Sequence, residues 1–357
     1  GGVDSSTVVA LAQKYKIMKT FCVSFPNTCI DEAPIAHRIS DHLGTLHHEV
    51  KIKIDPVSLL KDAVNYMYEP FADSSALPTF ALCREARKVA KVVLSGDGGD
   101  EVLGGYTGRY RVAALKAVVP APGILARGLR FLPPWRSGRR RSLAQMLDLA
   151  KLPDEERYVV ERQITSASDR AALFGHRQTS EYEQSLREIV SKPIAKFAHK
   201  HPVHRALWMD LTTSLADDML TKVDCMSMAH GLEVRVPFLD HRLVEFALSL
   251  PSNFLVSPFP LEGKRLLREA VAPWLPDGIL NRPKQGFVIP LNDWLKDHFL
   301  SLFDTLGLDS DSCISGLLDR NTIIKMRQKS LRDDSRADLY ALLVLELWFR
   351  RIRNDRK

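Results

Sequence analysis

The segment VVLSGDGGDEVLGGY, residues 92–106, decides the fold prediction. It begins as a short apolar run typical of a buried strand, and it then breaks into five glycines and three acids, Asp97, Asp100 and Glu101. A turn needs only one or two glycines, and like charges this close repel each other unless a cation offsets them. A solvated surface loop is the alternative, and the glycines and acids favour a binding loop at the end of a strand.

A second glycine segment, GGVDSS at residues 1–6, precedes a helix-like run. Asp4 would lie beside a phosphate only with a magnesium ion, which accepts carboxylate and phosphate oxygens together. An ordinary helix N-cap explains so short a pattern about equally well. A Walker-type phosphate loop is excluded because the chain contains no GxxxxGK(S/T) motif. An anion site at the start of this helix would use the backbone N–H groups of Gly1, Gly2, Ser5 and Ser6.

Strand-like and helix-like runs alternate between these two segments. TFCVSF and LHHEVKIKI have the composition and alternation of strands, whereas DEAPIAHRISDHLG and PTFALCREARKVA have helical periodicity. This order predicts an α/β fold, a parallel sheet with helices on both faces. Ligands of such sheets bind at the carboxyl ends of the strands, so the two glycine loops would face each other there. After about residue 110 the chain is mostly helical in pattern.

Bulk composition narrows the functional class. No run of about 18 uncharged apolar residues occurs, so we predict no membrane partner. The first residues do not resemble a signal peptide and fall inside a motif, so we interpret the N-terminus as a cut. Five cysteines without a CxxC pair favour reduced thiols and a cytoplasmic location. The net charge of +7 suits a polyphosphate substrate, and the arginine run at 136–142 lacks the interleaved aromatics of a nucleic-acid site, so no nucleic-acid partner is predicted.

Six motifs carry a resemblance to known proteins. GGVDSS is similar to the SGGxDSS motif of the PP-loop ATP pyrophosphatase superfamily, with the leading serine lost. Five further segments resemble, in order, the synthetase domain of the glutamine-hydrolysing asparagine synthetase family, from residue 1 to about 300. No motif is recognised over 111–195. These segments are SFPNTCIDEAPIAHRISDHLGTLHHEV, EPFADSSALPT, LSGDGGDEVLGGY, GLEVRVPFLD and RPKQGFVIPLNDW.

The resemblance implies a fold, a reaction and its cofactors. A PP-loop (adenine nucleotide α-hydrolase-like) core at 1–115 would bind ATP, 116–200 would be a variable helical insertion, and 201–357 a helical part completing the active site. The aspartate side chain would attack ATP with Mg²⁺ as cofactor, forming β-aspartyl-AMP, and ammonia would then displace AMP to leave asparagine. Ammonia would come from glutamine through an N-terminal glutaminase domain in cis, which is absent from this sequence. A homodimer is left open.

The resemblance also implies roles for single residues. Asp97 and Lys264 would be catalytic, and Asp4 and Asp100 would bind the metal. Some family members carry Glu at the position of Asp97, whose side chain is one methylene shorter. For Lys264 alone, an exposed lysine on an amphipathic helix is the ordinary explanation, and only the surrounding motif reverses it. ATP and pyrophosphate would be bound by Gly1, Gly2, Ser5, Ser6, Val23, Ser95 and Gly96.

Several alternatives remain at this point. Related amidotransferases and β-lactam synthetases share the ATP motifs, so the acceptor carboxylate is undetermined. An inactive basic scaffold is a second alternative, against which the retained acids Asp4, Asp97 and Asp100 argue. We also predict that Arg235 and Asp240 organise their loop by forming an ion pair; a substrate role stays open, because the resemblance implies that this segment lies near the active site. The ADSS segment at 72–75 either borders the acceptor pocket or caps a helix.

Overall fold

The computed structural model describes residues 2–25, 31–52, 55–131, 139–257, 259, 262–282, 286–287, 289–330 and 337–355. Its strands are β1 (Lys19–Ser24), β2 (Leu46–Lys51), β3 (Val92–Leu94), β4 (Glu233–Arg235), β5 (Val256–Ser257) and β6 (Glu262–Gly263). Its helices in the first half of the chain are α1 (Val3–Ala12), α2 (Ala33–Leu43), α3 (Pro56–Val64), α4 (Ala76–Arg87), α5 (Gly99–Leu103), α6 (Thr107–Val118), α7 (Pro122–Phe131), α8 (Arg139–Ala150), α9 (Asp154–Arg162) and α10 (Ala167–Phe174). Its remaining helices are α11 (His176–Lys196), α12 (Pro202–Thr212), α13 (Thr221–Met228), α14 (His241–Ser249), α15 (Arg265–Val271), α16 (Leu291–Trp294), α17 (Leu300–Leu306), α18 (Arg320–Ser330) and α19 (Ala337–Asp355).

The β1–α2–β2 unit follows the predicted pattern. β1 and β2 are parallel, with Lys19 opposite Leu46 and Ser24 opposite Lys51. The connecting helix α2 ends at Gly44, whose φ of 69° lies in the left-handed region that glycine adopts without steric cost. Both predicted strands and the helix between them are therefore confirmed.

β3 pairs in parallel with β4, and these two strands differ from the prediction in one respect. The run at 92–94 was expected to be a buried strand, yet Val92 and Leu94 are 42% and 44% exposed. The strand is only three residues long and, among the described residues, pairs only with β4. The described residues thus form small parallel pairs within a helix-rich α/β fold. The single broad sheet of the prediction is not among them.

Two large apolar clusters position these elements. The first packs α3 and α4 against α19 and α17, with Leu59, Phe80, Phe303 and Tyr340 almost wholly buried. The second joins α1, α5, α6 and α12, so Val8 of α1, the helix that begins in the first glycine segment, shares a core with α6, the helix that follows the second. α19 is a core helix, as its apolar circumference predicts.

No helix among the described residues combines the length and the apolar character needed to cross a lipid bilayer.

Candidate active site

The two glycine loops lie in direct contact. A Cβ atom added to Gly96 would lie 2.7 Å from the Ser5 amide nitrogen and 2.8 Å from the Asp4 Cβ. A Cβ added to Gly99 would lie 2.8 Å from the Asp4 carboxyl carbon. Since real Cβ contacts are essentially never this short, glycine is the residue that lets the second loop approach the start of α1.

The first loop is the first turn of α1. Gly2 occupies the N-cap position without a side-chain cap bond, and Ser6 Oγ donates to the Gly2 carbonyl oxygen at 2.7 Å. Asp4 and Ser5 stand inside the helix, so the N-cap explanation is wrong for them. Ser5 is exposed and Ser6 is buried. Gly1, which we predicted to bind pyrophosphate, lies outside the described residues.

Lys264 is brought to the loops by close backbone packing. A Cβ on Gly263 would overlap the Gly104 carbonyl oxygen, and the Lys264 N–H donates to the Leu103 carbonyl at 3.2 Å. Lys264 has a φ of 55°, a left-handed conformation that costs a non-glycine residue of order 1 kcal/mol or more. It precedes α15 and is only 4% exposed, so the ordinary explanation of an exposed helical lysine is wrong.

The Lys264 ammonium lies between two buried carboxylates. Its Nζ is 2.5 Å from Asp100 Oδ1 and also contacts Asp4 Oδ2. Asp4 and Asp100 are 8% and 9% exposed. At an effective dielectric constant near 20, two opposite charges at about 4 Å attract by about 4 kcal/mol. One ammonium therefore contacts two carboxylates from different loops and joins residues 4, 100 and 264 into one cluster.

The second loop is shaped around this cluster. A Cβ on Gly105 would overlap both Asp100 Oδ1 and Lys264 Cε. Gly98, with a φ of 83°, leaves room for the Leu239 side chain from the PFLD segment. Close packing thus explains the glycine at position 105 of the GGY sequence and the contact of the PFLD segment with the second loop.

Two neighbours of the cluster were not among the predicted site residues. Glu101 is 2% exposed, and the Tyr106 hydroxyl donates to its Oε1 at 2.7 Å. Burial and the Asp100 charge raise the pKa of Glu101 despite the Tyr106 hydrogen bond. Burial also raises the pKa of Tyr106, and the Glu101 and Asp100 charges add to the effect. The sequence offered one signal for each residue: Glu101 directly follows Asp100, and Tyr106 ends the GGY sequence.

Asp97 and Ser95 contact each other at the carboxyl end of β3. Ser95 Oγ donates to Asp97 Oδ2 at 2.7 Å, while the Ser95 N–H donates to the Arg235 carbonyl and extends the β3–β4 ladder. The pKa of Cys83 on α4 is raised to about 12 by burial and by the charge of Asp97. Asp97 therefore belongs to the second loop but lies outside the contacts of the Lys264 cluster described above.

Val23 is 4% exposed and lies in β1, within the first apolar cluster. Its predicted backbone contact to adenine stays a prediction, as do the nucleotide roles of Ser95, Ser5 and Ser6.

The ADSS segment forms a second buried ion pair. Lys222 on α13 is 3% exposed and donates to Asp73 Oδ2 at 2.8 Å and to Ser75 Oγ at 2.7 Å. Burial acts to raise the pKa of Asp73, but the Lys222 charge and the hydrogen bonds from Lys222 and Ser75 outweigh it and hold that pKa below its usual 3.8. Ser75 stands at the N-cap of α4 without making a side-chain cap bond, so capping does not explain its hydroxyl.

The predicted ion pair between Arg235 and Asp240 is wrong. Arg235 Nε contacts Glu233 Oε1 at 2.7 Å, and Asp240 accepts hydrogen bonds from Arg242. Residues two apart on a strand share one face, and Asp240 caps α14, so each charge finds a nearer partner.

Magnesium chemistry is compatible with the cluster. No group of three or more His, Cys, Asp or Glu side chains arranged to hold a metal occurs within the described ranges. Magnesium, however, is usually bound by one or two carboxylates together with substrate phosphates. Asp4 and Asp100 supply two carboxylates that already share a cation, so they fit an ion that arrives with a nucleotide.

Comparison with known proteins adds a family relationship. A family model described as asparagine synthase matches residues 1–350. Over 98% of the chain, the sequence is 32% identical to a Mycobacterium tuberculosis protein named "Putative asparagine synthetase (glutamine-hydrolyzing)" and 26% identical to "Asparagine synthetase (glutamine-hydrolyzing) 1" of Bacillus subtilis. The matches cover 53% and 54% of those proteins.

A fungal relative carries a different name. "Amidase chry2" of Gibberella zeae is 27% identical over 82% of the chain, and the match covers 49% of that protein. The chain therefore spans about half the length of the curated relatives reported above.

Proposed function

The chain belongs to the asparagine synthase family, and from this premise we propose that it is the synthetase part of an ATP-dependent, AMP-forming amide ligase. In the proposed reaction the aspartate side-chain carboxylate attacks the α-phosphorus of ATP. The bond from that phosphorus to the bridging oxygen breaks, which releases pyrophosphate and leaves β-aspartyl-AMP. Ammonia then attacks the acyl carbon, AMP leaves, and a proton lost from nitrogen completes asparagine.

The observation that carries this proposal is the buried Lys264 cluster at the contact of the two glycine loops. Attack on the α-phosphorus increases negative charge on its oxygens and on the departing pyrophosphate. A fixed ammonium in a buried site stabilises that charge more than it would in water. The backbone of Lys264 is held by the hydrogen bond from its N–H to the Leu103 carbonyl, so the side chain extends toward the contact of the two loops from a fixed point.

Asp4 and Asp100 are the residues that would hold a magnesium ion. Bound there, the ion would offset the charge of the phosphates and of the leaving group. The proposed anion site of Ser5 and Ser6 is supported by their place in the first turn of α1, where backbone N–H groups and the helix dipole favour a phosphate. Asp97, which accepts a hydrogen bond from Ser95 in the second loop, is proposed to take part in forming the aspartyl-adenylate.

Ammonia is proposed to come from glutamine. Relatives named as glutamine-hydrolyzing asparagine synthetases are about twice as long as the matched region, which leaves room in them for a further unit. We propose that this chain likewise acts with a glutaminase domain in cis.

A second candidate function is adenylation of another carboxylate. It is favoured by the match to the protein named as an amidase, because that relative resembles the chain over most of its length but is not named as an asparagine synthetase. ATP-binding residues are common to both candidates and cannot distinguish their acceptors. An inactive scaffold is disfavoured because two buried carboxylates around one lysine are costly to retain without a use.

The test is a pyrophosphate-release assay with ATP, Mg²⁺ and ammonium, run with the full-length protein across aspartate and other carboxylic acids. The proposal predicts aspartate-dependent pyrophosphate and AMP in equal amounts, with asparagine as product. Dependence on another acid would select the second candidate, and formation of ADP and phosphate would overturn both.

A further inference from the structure

We infer that Lys264 is a placeholder cation, which holds Asp4 and Asp100 together until a magnesium–nucleotide complex replaces its ammonium. The inference rests on the proposed function for the identity of the incoming ligand. It adds a binding requirement that the function alone does not include: Mg²⁺ by itself binds weakly to the two carboxylates, and Mg²⁺ binds tightly only together with a nucleotide.

The contacts of Lys264 join two carboxylates that would otherwise repel each other. Asp4 and Asp100 belong to different loops, and the Lys264 Nζ touches both. Without a cation, two ionised carboxylates at this burial would repel each other and push the loops apart. The lysine therefore keeps the two proposed metal-binding side chains next to one shared cation.

The charge of the cluster changes sign when a divalent ion is added. Two carboxylates and one ammonium leave the cluster with one net negative charge, which repels a phosphate. Addition of a divalent ion changes this to one net positive charge, which attracts it. The ion and the ammonium cannot occupy the same place between the carboxylates, so Lys264 must move to a new anionic partner. A nucleotide phosphate is such a partner, whereas metal alone provides none.

The backbone of Lys264 is fixed while its side chain is long. Its left-handed φ of 55° and its N–H bond to Leu103 fix the Cα position. Only the side chain then needs to swing, and its four methylenes allow this without rearranging α15. A strained residue kept at this position is typical of sites where geometry matters for function.

The inference is tested by Mg²⁺ titration in a calorimeter, without nucleotide, on the full-length protein at pH 8. The wild type should bind Mg²⁺ weakly. Lys264→Met should bind it at least about tenfold more tightly, because the carboxylates then lack their ammonium. In thermal unfolding, Lys264→Met should have a lower Tm than the wild type, and millimolar Mg²⁺ should raise that Tm by about 1–3 °C while leaving the wild type unchanged.

Two variants control for general destabilisation. Lys222→Met removes a buried lysine from the Asp73 pair and should lower the Tm without any recovery by Mg²⁺. Asp4→Asn added to Lys264→Met should abolish the gained Mg²⁺ affinity. If Lys264→Met does not fold, Lys264→Gln serves in its place, since its amide can still donate to one carboxylate.

Equal Mg²⁺ affinity in the wild type and the Lys264 variant would overturn the inference, as would recovery of Lys222→Met by Mg²⁺. Because no nucleotide or turnover enters these measurements, they can succeed while the pyrophosphate-release assay fails. If pyrophosphate is released but the Mg²⁺ affinities of the wild type and the Lys264 variant are equal, the ligase function stands and the placeholder role of Lys264 is wrong.

Discussion

Substitution of Gly96 by alanine tests the contact between the two loops. The added Cβ would lie 2.7 Å from the Ser5 amide nitrogen, whereas ordinary contacts begin near 3.4 Å. One of the two loops must therefore move away by about 0.7 Å. The Ser5 amide nitrogen and the Asp4 Cβ, the two atoms that the added Cβ would meet, both belong to the first turn of α1. Overpacking of this kind costs about 1–3 kcal/mol of unfolding free energy. A misplacement approaching 1 Å at a reacting centre lowers turnover up to about 100-fold.

Gly108→Ala is the matched control for this substitution. Gly108 lies in α6, its φ is not positive, and an added Cβ there would meet nothing within 4 Å. That variant should be as stable as the wild type or more stable by up to about 1 kcal/mol, because alanine is the better helix former. Urea unfolding gives the free energies, and pyrophosphate release gives the turnover. A Gly96→Ala protein as stable and as active as Gly108→Ala would refute the close contact.

Three further substitutions test the charged groups. Asp4→Asn should lower Mg²⁺-dependent pyrophosphate release by at least about 100-fold while circular dichroism stays unchanged, because a neutral amide is a poor magnesium ligand; undiminished release would exclude the metal role. Lys264→Ala should raise the activation free energy of adenylation by roughly 2–4 kcal/mol more than it raises the free energy of ATP binding. Single-turnover kinetics and calorimetry measure the two quantities, and equal losses would assign the lysine to ground-state binding. Asp73→Asn should cost about 1–3 kcal/mol at pH 7, less than a fully buried pair because 23% of the Asp73 side chain is exposed. The pKa of Asp73 is lowered in the folded state, so this advantage of the wild type should persist above pH 3.8 and disappear as the pH falls through the folded-state pKa; a difference between the two urea unfolding energies that does not change with pH would contradict the pairing.

Local signals in the sequence were sufficient for the elements around the site. Gly44 ends α2 because only the left-handed region continues the chain there, and the alternation of residues 46–51 matches β2. The two glycine loops were predicted to face each other, and Gly96 and Gly99 bring them into contact. The end of α2 and the extent of β2 depend on backbone sterics within a few residues, so the sequence pattern indicates them directly.

Features that depend on distant partners were harder to predict. The burial of Lys264 follows from Gly263 packing on Gly104, and no periodicity around residue 264 encodes that contact. Val92 and Leu94 are apolar yet partly exposed, because the extent of a sheet depends on which strands join it. Arg235 and Asp240 were paired by their charges alone, whereas strand alternation and the α14 cap gave each a nearer partner.

The most direct test of the two-loop site is a crystal structure of the full-length protein with Mg²⁺ and α,β-methylene-ATP. The proposals above predict the phosphates between the Ser5 and Gly96 loops, the metal on Asp4 and Asp100, and the Lys264 Nζ moved onto a phosphate oxygen. A nucleotide bound away from these loops, or a Lys264 ammonium still between the two carboxylates with the nucleotide in place, would contradict them.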